Sequence, residues 1–87
     1  MKVLLDMITR EIAGETILVP VGASAIKYNG LITLNEVGAF LWARLPGAAD
    51  EAALVDAVLE EYEVSREEAS SDVADFIQQL RELKILE

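Results

Sequence analysis

From Thr9 to Leu34 the apolar residues come in short blocks broken by turn formers, and from Asn35 onward they recur every third or fourth position. The first pattern is that of strands and the second that of helices. Thr9–Ile12 and Thr16–Val19 flank Ala13-Gly14-Glu15, which predicts a hairpin closed by a bulged three-residue loop. Pro20 ends the second strand, because it has no N–H for a central ladder. Ala25–Tyr28 and Leu31–Leu34 then flank Asn29-Gly30, a strong tight-turn signal, and these arms form either two paired strands or one bent strand.

The switch to helix falls between Ile32 and Trp42. Thr33 and Glu36 have capping-box spacing, and Leu34, Gly38, Leu41 and Leu45 fall on one line, with Val37 and Phe40 to one side and Trp42 to the other. A helix apolar over so much of its circumference is expected to be enclosed by its neighbours. Pro46-Gly47 stops it. Asp50 is a good N-cap for a second helix, whose Leu54, Val55, Val58, Leu59 and Tyr62 share a face. Ser65 and Glu68 form a second capping box, opening a third helix with Ala69, Val73, Phe76, Leu80 and Leu83 in line and Ile77 at the edge. Ile85-Leu86 leaves that helix and is expected to tuck against the sheet. The fold class that follows is α+β: a three-stranded antiparallel sheet followed by three helices, compatible with a winged helix-turn-helix. The chain reads as one domain over 1–87, with 1–8 a flexible lead-in.

Composition narrows the function. At 53% hydrophobic, 87 residues fill one core. With neither cysteine nor histidine there is no thiol nucleophile, no disulfide and no imidazole base or ligand. No signal peptide or spanning segment is visible, so a soluble, cytoplasmic protein is expected. The net charge of −9 is uneven: residues 1–49 balance four acids with four bases, whereas residues 50–87 carry twelve acids against Arg66, Arg81 and Lys84. Phosphate backbones are bound through Lys and Arg, so nucleic acid is disfavoured as a partner.

Glu68, Asp72 and Asp75 lie along one flank of the third helix and read as a solvated face rather than a metal site, since no histidine assists them. The serines have no basic partner at catalytic spacing and the glycines form no phosphate loop, so neither catalysis nor a cofactor is expected. Phe40, Trp42 and Tyr28 read as core filling rather than a ligand pocket. On the other flank of the third helix, Arg66, Ser70, Ile77, Arg81 and Lys84 collect at ~100° per residue, a candidate rim for an acidic, partly apolar peptide. A three-stranded sheet also has two edges, and an uncovered edge is either blunted or used to take up an extended chain. Lys27 is a blunting residue; Leu31-Ile32-Thr33-Leu34 carries none.

Glu11-Ile12-Ala13-Gly14-Glu15, Leu18-Val19-Pro20, the run from Asn29 to Trp42, Leu59 to Ser65, Asp72 to Phe76 and the Leu-Lys-Ile-Leu ending together resemble the PqqD-like family. Members are small peptide-binding chaperones, also called RiPP recognition elements. The resemblance implies a winged helix-turn-helix whose third strand accepts the leader segment of a ribosomally made precursor peptide. That segment would also pack on the third helix and be presented to a maturase, commonly a radical S-adenosylmethionine enzyme. Carried over to this chain, the peptide-binding residues are Leu31, Ile32, Thr33 and Leu34 on the strand, with Ser70, Ile77, Arg81 and Lys84 on the helix. The stretch Gly22–Asn29 is longer than in members that make pyrroloquinoline quinone, which favours the general carrier role over that pathway. The rivals are a winged-helix transcription regulator and a structural subunit that pairs, as a homodimer, through its open sheet edge.

Overall fold

The computed structural model describes residues 1–27 and 31–87. The Asn29-Gly30 turn and the side chain of Lys27 lie outside the described residues. Strands β1 (Met7–Ile12), β2 (Glu15–Pro20) and β3 (Ile32–Leu34) form an antiparallel sheet in the order β1-β2-β3. A single helical turn, α1 (Ser24–Lys27), precedes β3, and helices α2 (Glu36–Arg44), α3 (Glu51–Glu61) and α4 (Arg66–Glu82) follow it. This is the expected α+β order of three strands and then three helices.

The hairpin is tighter than the loop expected from its sequence. Ile12 pairs directly with Glu15, leaving a two-residue turn in which Ala13 and Gly14 have φ of 54° and 82°. Two successive positive φ values match the right-handed twist of the flanking strands, so no bulge is needed. Ser24–Lys27 is helical where a strand was expected at Ala25–Tyr28. Gly22, at φ 59°, reverses the chain, and buried Ser24 accepts a 2.7 Å hydrogen bond from the Asp6 N–H. The turn at Gly22 and the long-range bond to Asp6 together outweigh the β-type composition of the segment.

Register decides which side of the sheet is covered. Thr9 pairs with Leu18 and Leu18 with Ile32, so Met7, Leu18, Ile32 and Leu34 share the inner face and are buried. Ile8, Ile12, Ile17 and Val19 fall on the other face. Against the inner face lie Leu41 and Leu45 of the predicted line, Leu54 and Val58 of α3, and Val73, Ile77 and Leu80 of α4.

Helix α2 is less enclosed than its composition suggested: Gly38 and Leu41 are buried, but Val37, Phe40 and Trp42 are half-buried. Its outer side is finished by a stack instead, with the Arg44 guanidinium 3.6 Å from the Phe40 ring centre and Tyr62 edge-on at 5.3 Å. The segment expected as a loose lead-in is tied down. Val3 bridges Leu86, the Leu4 N–H donates to Ile85 O at 2.7 Å, and β1 already begins at Met7. Ile85 and Leu86 are thereby buried against the N-terminal arm, and the arm runs beside the C-terminal residues rather than beside β3. Among the described residues no helix is long and apolar enough to cross a membrane.

Candidate functional site

Strand β3 is short because it is squeezed between two signals. Its alternation is strict, with Ile32 and Leu34 inward and Thr33 outward, and Thr33 pairs with Ile17 of β2. That pairing removes Thr33 from the capping role its spacing suggested. The helix starts two residues later with Asn35 as N-cap, whose Oδ1 accepts from the Gly38 N–H at 2.7 Å. β2 occupies one side of β3, and among the described residues no strand pairs with the other. Leu31, just before it, is 64% exposed, the most exposed large apolar side chain among the described residues.

The sharp turn at Asn35 carries α2 away under α4 and leaves a cleft of about 250 Å³. One wall is Leu34, Asn35, Val37, Gly38 and Leu41; the other is Asp72, Asp75, Phe76 and Gln79 of α4. Gly38 sets its depth: a Cβ there would stand 3.2 Å from the capping oxygen of Asn35 and 3.5 Å from a Leu34 methyl. The cleft therefore joins an apolar floor, two carboxylates and a strand with unused backbone groups.

The α4 residues selected from the sequence do not line this cleft. Ile77, expected to lean outward, is 1% exposed and belongs to the core. Arg81 pairs with Glu51 at 3.6 Å and also donates to the Glu87 carbonyl, while Arg66 pairs with Asp56 at 3.3 Å. Glu51 and Asp56 are both on α3, so the cationic flank borders α3. Ser70 is on that same flank and is exposed. Lys84 lies beyond the end of α4, at φ 59° in the turn where Ile85 N–H returns to Leu80 O. Two members of the candidate rim, Arg66 and Arg81, thus pair with carboxylates of α3.

The α4 residues that do line the cleft, Asp72, Asp75, Phe76 and Gln79, follow from one signal. Counting Ile77 into the apolar arc with Val73 and Leu80 shifts the arc's centre toward Arg81. The neighbouring helix must then cover the cationic side, and the acidic side faces the sheet margin. As for the acidic residues themselves, among the described residues no group of three or more carboxylates is gathered as metal ligands would be.

Comparison with solved structures places the fold. The chain superposes on TbiB1, solved in complex with the TbiA(beta) leader peptide, with a TM-score of 0.73 and 26% identity, over 100% of this chain and 95% of that one. It also superposes on lasso peptide synthetase B1, complexed with its leader peptide, with a TM-score of 0.68 over 93% of this chain and 89% of the other. At 21% identity that second likeness is one of fold alone. No curated protein matches the sequence. The model of one family, described as coenzyme PQQ synthesis protein D, matches residues 3–86, and the chain belongs to that PqqD family.

Proposed function

We propose that the protein is a non-catalytic carrier that binds the leader segment of a ribosomally made precursor peptide and presents it to a modifying enzyme. Proteins of the family bind peptides without catalysing a reaction, and TbiB1 holds its leader peptide on the same fold. The observation that carries the reading is the unpaired side of β3 running into the β3–α4 cleft. A peptide entering as a fourth strand gains backbone hydrogen bonds from Leu31–Leu34, and alternate side chains reach the cleft. The other sheet edge, β1, is a poorer acceptor, since Arg10 and Glu11 sit in its exposed middle and charges on an edge deter pairing. The modifying enzyme is of the radical S-adenosylmethionine class or another maturase, and docks on surfaces the peptide leaves free.

A transcription regulator is disfavoured by charge. The cations of α4 are consumed by α3 carboxylates, and the net charge of −9 repels phosphates. Hydrogen–deuterium exchange with and without a synthetic leader from any short precursor reading frame found beside its gene tests the reading. Amides of Ile32–Leu34 should gain protection while the mass stays that of one chain plus one peptide. Protection confined to Met7–Ile12 would move the site to the opposite edge. Protection of β3 without peptide, rising with protein concentration, would make the edge a self-pairing surface.

A further inference from the structure

We propose that the peptide taken up between β3 and α4 carries a lysine or arginine facing α4, where Asp72 and Asp75 receive it. The inference rests on the carrier reading above and adds the chemistry of the cargo. The two walls of the cleft differ in kind. The β3–α2 wall is mostly apolar, formed by Leu34, Val37 and Leu41 around Gly38, whereas α4 presents Asp72 and Asp75, both on one side of nearly buried Phe76. Both carboxylates are exposed, and among the described residues neither has a Lys or Arg in ion-pair distance; the cations of α4 pair with Glu51 and Asp56 on the far flank.

An added strand changes the circumstances of these carboxylates. Lying between β3 and α4, it displaces water from them. A carboxylate that loses water without gaining a counter-charge opposes binding, and an acidic cargo would add repulsion. A basic side chain reverses both effects. Spacing permits it: alternate residues of a strand face the same way, roughly 6.5–7 Å apart. A large apolar residue can then fill the cleft against Leu34 and Phe76 while the residue two positions away reaches Asp72 or Asp75. These two are about one helical turn apart, roughly 4.5 Å along the axis, so one long flexible side chain spans both. The selectivity is opposite to that expected of Arg81 and Lys84.

Random peptides displayed on phage, panned against the whole chain, test this without knowledge of the natural cargo. Peptides whose binding protects the Ile32–Leu34 amides are expected to carry Lys or Arg two positions from a large apolar residue. Replacing that base by Gln should weaken binding about fivefold or more, and raising salt from about 50 to about 500 mM should do likewise. Both effects should vanish in the Asp72→Asn/Asp75→Asn double variant, whose exposed substitutions leave the circular dichroism spectrum unchanged. If peptides protect β3 but show no basic enrichment and bind the double variant equally, the charge inference is overturned and the carrier reading stands. If no selected peptide protects β3, the carrier reading itself falls, and the charge inference with it.

Discussion

Replacing Ile77 separates a core role from a contact role more sharply than any other single change. Ile77 is 1% exposed and lines a depression between α3 and α4 with Glu51 and Arg81. Ile77→Ala removes three carbons, about 2.4 kcal/mol at ~0.8 kcal/mol per buried methylene. If α3 and α4 hold their spacing, the cavity left behind raises the cost toward ~4 kcal/mol. A domain of this size has about 4–13 kcal/mol in all, so the variant loses a large share of its margin. Urea denaturation followed by circular dichroism reads this directly: at about 1 kcal/mol per molar, the midpoint should fall by roughly 2.5–4 M at unchanged slope. Ile77→Val, one methyl lighter, should cost about 0.5–1.5 kcal/mol. Ile77→Asp should not fold, so loss of peptide binding in that variant carries no information about the groove. A loss under about 1 kcal/mol in Ile77→Ala, together with weakened peptide binding in the folded variant, would refute the assignment and return Ile77 to the surface.

Two backbone positions yield changes in the other direction. Ala13→Asn should raise stability by about 0.5–1 kcal/mol, since Ala13 holds a positive φ of 54° ahead of Gly14 and Asn-Gly is the favoured pair for that turn; a lower thermal midpoint would show that the turn is not of this type. Lys84→Gly should stabilise by up to about 1 kcal/mol by relieving φ of 59° after α4, and should leave peptide affinity unchanged; a loss of affinity would place Lys84 at the groove after all.

The parts of the fold legible in the sequence were those fixed by local chemistry. Asp50 and Ser65 cap α3 and α4, accepting from Ala53 N–H at 2.9 Å and Glu68 N–H at 3.1 Å, as their spacing predicted. The line Leu34, Gly38, Leu41 and Leu45 is buried as its periodicity required. What was not legible depended on competition between segments. Thr33 satisfied a capping rule and a strand rule at once, and pairing with Ile17 settled it in favour of the strand. Ser24–Lys27 became helical through contact with Asp6, eighteen residues away, which no local window contains. For the candidate site, the strand half was read from the alternation Ile32–Leu34, a local feature that the pairing with β2 shares. The helix half fell on the flank of α4 that borders α3 rather than on the one lining the cleft, because the position of α3 around α4 is a tertiary fact and the acidic flank read as a solvated face.

On the proposed mode of binding, the brevity of β3 sets how long a guest stays. Three residues offer an incoming strand roughly two or three main-chain bonds, each worth about 0.5–1.5 kcal/mol net. Such a grip is too slight to retain cargo by itself, so dwell time is governed by whatever side chains settle in the adjoining hollow. A partner that pulls those side chains loose would release the whole segment, a property suited to passing a substrate on rather than storing it.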